Sequence, residues 1–594
     1  MKVVYSKGNY QAYGRPRKKR DFKGQVYIIG AGLSSLSSAL FLIRDAHVDG
    51  KNIHILERAE SEGGACRRVS DRSSGYILEG GRELDLHFEV LWDLLRSVPS
   101  LENPEISVLD EIVWLNEESP IFSNVRATSN RSEDVHTDIQ FNLKPQAINE
   151  IIKLMVTPDS KLYDVTIGEY MSENVLESDF WMYWSSILAF KESHSVIELK
   201  RHLRRFIHDM DGIADQSALI GYKYTASQAL IAPLVAMLKK SDVDFQINTK
   251  VKDVELEFDG DKKRAKKILL ERNGVSEDIV LGEQDLLFIP IGGTTENMWI
   301  GSQNEPAELD SIVKEDSAWQ LWQTLAEKDI SFGNPHKFCS SVEASKWVTG
   351  TITTLDNRIV PYIKSACRKD IVPGQHITGG YITVKDSPWT INWTFGRQPQ
   401  FLDQPKEQLV GWMYGLTPDN EGTYVKKTMD KCTGKELCME WLYHLGVPES
   451  EIEVLAEGSA NTVPVIYPFI TAGLLPRAVG DRPDTVPEGA VNFGFIGQFA
   501  RIEGEAMFTA EYAVRSAMEA VYKLMDVDRP MPEVWGSIYD VRDILKAYNT
   551  LADGRNLDTV FSSSKERKLL KEMKRLIMDT DVEDLLEEYG LIQL

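Results

Sequence analysis

The sequence predicts an α/β protein: a Rossmann-like nucleotide domain that carries an inserted helical and antiparallel-sheet region and ends in helices. Three observations carry this expectation. The stretch 25–57 reads as strand, glycine turn, helix, strand and acidic residue. A strand closed by a loop returns at 285–298 and again near 490–525, so distant segments are expected to belong to the same, discontinuous nucleotide domain. Between these returns lie a helical, aromatic-rich block at 144–240 and an alternating apolar and polar pattern at 330–480.

In the first stretch Val26 to Ile29 form a buried-strand run, Gly30, Ala31 and Gly32 a tight turn, and Leu36 to Ile43 shift to helical spacing. A turn without a side chain at Gly30 bends sharply. Without one at Gly32, a pyrophosphate can approach free backbone N–H groups at the positive end of the helix dipole. The second run, Asn52 to Leu56, ends in Glu57, whose carboxylate suits ribose hydroxyls and disfavours a 2′-phosphate, while Ser35 stands at the usual third glycine. A glycine turn alone often only joins a strand to a helix. The full order makes a dinucleotide site the better reading.

At 594 residues several domains are expected. A net charge of -23 and a pI near 5.0 disfavour nucleic acid as a partner. The basic run Arg15 to Arg20 reads as a solvated arm. Five scattered cysteines without metal-ligand spacing suit reduced thiols in a cytoplasmic protein, and no metal site is expected. There is no signal peptide and no run of eighteen apolar residues, so a spanning helix is not expected.

In chain order, 1–24 is an arm. The nucleotide domain comprises 25–143, 241–330 and 485–525, the substrate region 144–240 and 331–484, and a helical part 526–594. Gly75 to Leu78 is expected as a short strand and His87 to Leu95 as a helix, leaving Gly80, Gly81, Arg82 and Glu83 on the loop between, where ligands meet such sheets. In a helix from Ser195 to Met210, Val196, Leu199, Leu203, Phe206 and Met210 share an apolar face with His202 at its edge, a position more often a border than a catalyst. Phe245 to Val251 and Lys267 to Glu271 flank DGDKK as a hairpin. The loop after DLLFIP, with Gly292 and Gly293, is either a strand terminator or a second approach to the cofactor. Lys565 to Leu594 is amphipathic, a helix docked on the body or a partner, with peripheral contact to anionic membrane as the second reading.

The ordered motifs GAGLSSLSSALFLIRD, NIHILE, GYILEGGREL, RRFIHDMDGI, DLLFIPIGGTTEN, VKDSPWTINWTFGRQPQF, PFITAGLLPR and GFIGQFARI resemble those of the FAD-containing fatty acid hydratases, also labelled myosin-cross-reactive antigen, from about Gln25 to Met525. The resemblance implies a nucleotide fold like that of flavin amine oxidases and addition of water across a cis double bond of a long-chain unsaturated fatty acid. FAD then does no net redox work. It implies that Glu83 activates water and that His202, where the family has a proton-donating tyrosine, is the acid. An imidazolium, with a reference pKa near 6.5 against about 10 for a phenol, is the stronger acid. FAD is expected on Gly30, Gly32, Leu33, Ser34, Ser35, Glu57, Gly64, Ala65, Gly80, Gly81, Arg82, Thr295, Glu296, Asn297, Gly497, Gln498 and Phe499, and the fatty acid on Thr394, Arg397 and Gln400. The sequence departs from the family at Glu79 in place of an arginine, at Thr225, Ala226 and Ser227 in place of Asn-Gln-Tyr, and at Gly396 and Gln400 in the carboxylate loop, which weakens that anchor. A homodimer is the expected assembly. The competing readings are a flavin oxidoreductase acting on an apolar amine or lipid, and a non-catalytic FAD- and lipid-binding protein.

Overall fold

Strand β1 (Val26–Ile29) sits inside a parallel sheet, with β2 (Ile53–Leu56) on one side and the strand Leu286–Pro290 on the other. The strands Asp244–Gln246 and Phe493–Ile496 complete the two edges, both also parallel. Both neighbours of β1 are bonded, which is why its sequence is an unbroken apolar run. The computed structural model describes residues 14, 16, 22–67, 75–80, 83–137, 140–309, 317–560 and 564–592; most of the expected N-terminal arm, with nearly all of its basic run, lies outside them.

Helix α1 (Leu33–Arg44) leaves the end of β1 and packs against the late helix Ala510–Met525, where the Phe41 and Tyr522 rings meet edge to face at 6.4 Å and the Tyr522 hydroxyl donates to Asp45 at 2.7 Å. The expected return of the late segment to the first turn is met. The expected hairpin also forms, between Thr249–Asp259 and Lys262–Arg272, with a third strand at Val275–Val280. The Ser195–Met210 helix instead stops at Arg205, and a 3₁₀ turn follows over Ile207–Gly212.

The alternating region supplies five strands of an eight-stranded sheet, completed by 299–300, 127–129 and 134–136 from segments expected in the nucleotide domain, in the order 299–300, 460–467, 347–354, 410–415, 391–394, 382–384, 127–129 and 134–136. It is antiparallel except where 382–384 meets 127–129. Alternation sends side chains to opposite faces. Val348, Ile352, Met413 and Ile466 enter the core shared with the helix Gly434–His444, whereas Trp347, Trp412, Tyr414 and Val465 form a separate aromatic cluster on the opposite side. The strand expected at Gly75 to Leu78 does not form. Gly75 turns the backbone at φ 95°, and the Leu78 N–H donates to the Thr351 hydroxyl at 2.9 Å instead of joining a ladder. Among the described residues no helix is long and apolar enough to cross a membrane.

Candidate active site

A cavity of about 610 Å³ opens where the chain leaves β1 and the strands diverge to either side. One wall is almost entirely backbone. Gly30 turns at φ 71°, and Gly64, at φ 54°, approaches Gly32 so closely that a β-carbon on Gly64 would fall 2.7 Å from the Gly32 α-carbon. Gly32 caps α1 with no side chain, so the first N–H groups of that helix are open to an anion. Ser35 explains the missing third glycine: its hydroxyl donates to the Ile29 carbonyl at 2.9 Å and ties helix to strand. Glu57 accepts from the Ala31 N–H at 2.6 Å and the Ala59 N–H at 2.7 Å. Its carboxylate thereby braces the turn and keeps further lone pairs for ribose hydroxyls. Leu33, Ser34 and Ala65 share this wall. The cradle fits a dinucleotide.

The second wall comes from loops that meet the turn. Thr295, Glu296 and Asn297 line the cavity, and Glu296 pairs with Arg58 at 2.6 Å, tying this loop to the end of β2. Gly497 turns at φ 96° beside Ser34, where a β-carbon on it would stand 3.7 Å from the Ser34 hydroxyl, and Gln498 is fixed by accepting from the Phe508 N–H and donating to the Thr509 carbonyl.

Glu83 lies on the third wall. It accepts from the Tyr381 hydroxyl at 3.0 Å. Tyr381 is itself held through its backbone by Gln216, which accepts from its N–H at 2.6 Å and donates to its carbonyl at 2.7 Å. Buried Arg126 donates to the same carbonyl at 3.0 Å, and desolvation brings that guanidinium down to about 10. Burial raises the Tyr414 phenol, with Arg126 opposing and Glu83 adding to the shift, so Tyr414 stays neutral beside the glutamate. Trp347, Trp412 and Tyr414 stack behind it, the first and last 4.7 Å apart. The surrounding wall is apolar, with Phe88, Ile187, Leu188, Phe206, Ile213 and Phe508.

Two acids on this wall are not legible in the sequence. Asp85 and Asp209 both border the cavity, and with His208 their ligating atoms converge within 4.8 Å. Burial opposes ionisation of Asp85, but His208, Asp209 and Arg205 overcome it and hold that carboxyl well below the usual range. Asp209 is pushed the other way, well above the usual carboxyl range, first by burial and then by the charge of Asp85.

A family model described as the MCRA family matches residues 23–522. An oleate hydratase of Streptococcus pyogenes serotype M49 (strain NZ131) is 39% identical over 597 residues, 99% of this chain and 100% of its own. The chain belongs to the MCRA family. A linoleate hydratase of Lactiplantibacillus plantarum is 28% identical over 85% of this chain and 94% of its own. Among solved structures, cyclohexylamine oxidase from Brevibacterium oxydans IH-35A superposes with a TM-score of 0.50 at 13% identity, covering 85% of this chain and 99% of the oxidase, which bears out the amine-oxidase-like architecture.

Two residues expected at the site of this MCRA chain do not reach it. His202 is buried behind the wall, with Nδ1 2.8 Å from the Glu198 carbonyl and Nε2 3.1 Å from the Met507 carbonyl. Desolvation lowers its pKa against the pull of Glu198, and Phe206, one helical turn on, takes the cavity-facing place. Phe499 is fully buried against Trp319, Trp322 and Phe338 rather than on the cavity. Of the glycine loop, Gly80 lines the cavity beside the Trp412 ring, whereas Gly81 and Arg82 lie outside the described residues.

Thr394, Arg397 and Gln400 line a smaller cavity of about 130 Å³ that shares Glu83, Tyr222 and Trp412 with the larger one. The Arg397 terminal nitrogens donate to the Gly374 carbonyl at 2.8 Å and the Ser119 carbonyl at 3.0 Å.

Proposed function

We propose that this chain hydrates a cis double bond of a long-chain unsaturated fatty acid to give a hydroxy fatty acid, with FAD bound on the glycine cradle. The observation that carries the reading is Glu83, a carboxylate fixed by Tyr381 at the junction of a dinucleotide cradle and an apolar cavity. The full-length relationship to oleate and linoleate hydratases supports the substrate class. FAD does no net redox work here and serves to shape the site.

Glu83 holds one water and takes its proton as the oxygen bonds to one alkene carbon. The other carbon receives a proton from an acid on the same wall as Glu83. With His202 withdrawn from the cavity, Asp209 is the side chain suited to this role. Glu83 and Asp85 flank the bridged Leu84, so both project to one side, about 7 Å apart along an extended chain. Asp209, beside Asp85, lines the same cavity as Glu83. The product carries one proton of the water on oxygen and the Asp209 proton on carbon; Glu83 ends protonated and Asp209 ionised, and proton exchange with solvent resets them.

Purified protein mixed with FAD, a reductant and oleic or linoleic acid is expected to yield a hydroxy acid, with Glu83→Gln lowering turnover about 10²- to 10⁴-fold while the flavin stays bound. No hydroxy acid from either substrate between mildly acid and neutral pH would sink the proposal. Bleaching of the flavin by substrate without added reductant would favour an oxidoreductase instead.

A further inference from the structure

Among the described residues, the smaller cavity holds buried polar atoms without a hydrogen-bond partner on four of its lining side chains: both ring nitrogens of His376, Nε of Arg397, Oγ1 of Thr225 and Nε1 of Trp412. Arginine Nε–H and the threonine hydroxyl are donors, and an imidazole offers one N–H, or two when protonated. Such a concentration of unanswered donors fits a guest that only accepts, which is the chemistry of a carboxylate. The loop residues to which the family resemblance assigns this role are otherwise engaged. Thr394 Oγ1 lies 3.0 Å from Thr378 Oγ1, and the Gln400 amide occupies the space over Gly396, 2.5 Å from where a β-carbon would stand.

Gly221 makes room for His376, and Gly396 lies in ordinary contact range of it. A β-carbon on Gly221 would fall 3.1 Å from His376 Nε2, and one on Gly396 would fall 3.7 Å from Cε1. The His376 and Arg397 backbones form an antiparallel bridge, which fixes imidazole and guanidinium side by side. Desolvation first, then the charges of Arg397 and Lys369, push the ring down to about 3, so it waits neutral. The other charged groups facing this cavity are Arg67, Lys223, Glu79 and Glu83, with the phenols of Tyr222 and Tyr224.

We propose that His376, with Arg397 Nε and Thr225 Oγ1, receives the fatty acid carboxylate in this chain and takes up a proton as the acid binds. The incoming anion offsets the Arg397 and Lys369 charges, which add to desolvation in keeping the empty ring neutral. This rests on the fatty acid reading above and adds to it the residue that recognises the head group. A departure at Gly396 and Gln400 is thereby answered by a histidine from another loop.

The test is calorimetric titration of the flavin-loaded protein with oleate, below its aggregation concentration, at pH 6 and pH 8 in two buffers of different ionisation enthalpy. Methyl oleate serves as the uncharged control. Wild type is expected to take up protons at pH 8 and to bind oleate more weakly there than at pH 6. His376→Asn is expected to weaken oleate about 10- to 100-fold, to abolish the proton uptake and to leave methyl oleate unchanged. The wild-type buffer dependence tests the idea without any variant. Proton uptake absent from wild type, or persisting in His376→Asn, overturns the inference while leaving the hydratase reading intact. Wild type that binds neither ligand overturns that reading and this inference together.

Discussion

The cradle wall and the Glu83 wall of the same cavity are built in opposite ways. The cradle comes chiefly from one continuous stretch, 25–64, and acts through backbone N–H groups and missing side chains. The Glu83 wall is assembled from side chains far apart in sequence; Glu83 and Tyr381 are 298 residues apart. A backbone site is robust to most substitutions and fails at a glycine. A side-chain site fails in graded steps, because each residue holds only part of the chemistry.

The sharpest break in this comparison is Gly64→Ala. A left-handed backbone disfavours alanine by about 1–2 kcal/mol, and the new β-carbon, 2.7 Å from the Gly32 α-carbon, forces the two glycine segments apart. The variant is expected to purify without flavin colour while keeping the wild-type helical circular dichroism; full flavin occupancy would show that the close approach is not needed.

On the other wall, Asp209→Asn is expected to lower hydration roughly 10²- to 10³-fold with flavin retained. The sign of the pH effect follows from the raised pKa of Asp209: the neutral acid is present at low pH and is lost as pH rises through its folded value. Wild-type turnover under saturating substrate is expected to fall along that limb, and the residual rate of Asp209→Asn is expected to lack it. An unchanged limb in the variant removes Asp209 from the proton transfer.

The smallest effect belongs to Tyr381→Phe, which removes one hydrogen bond to Glu83 and leaves Trp412 and Tyr414 in place. A decrease of about tenfold in kcat with little change in KM is expected, the size of one hydrogen bond to a charged group. Loss as large as that of Glu83→Gln would give the phenol a chemical role of its own.

The two walls also differ in what could be read from the amino-acid order. The β1 turn, Glu57 and the late return at Gly497 were legible because glycine requirements and short-range order leave a pattern in sequence, whereas that pattern left the Gly292 loop open between a strand terminator and an approach to the cofactor. His202 misled for a related reason: helical spacing puts it at the edge of an apolar face, but spacing does not say which neighbour reaches the cavity, and Phe206 does. Phe499 followed a glycine loop in sequence yet turned into the aromatic core. The serine at position 35 looked like a departure and proved to be a tie between helix and strand.

By itself the sequence determined the parallel sheet, the glycine cradle and the alternating sheet, because each follows from residue periods of two or about four and from where a side chain is forbidden. Only the tertiary structure decided that Tyr381 grips Glu83, that the Asp85 and Asp209 carboxyls are shifted in opposite directions, and that His376, beside Arg397, has no hydrogen-bond partner among the described residues. Those properties depend on burial and on partners brought from distant segments. Charge and desolvation are set by distance in space, which no local pattern encodes.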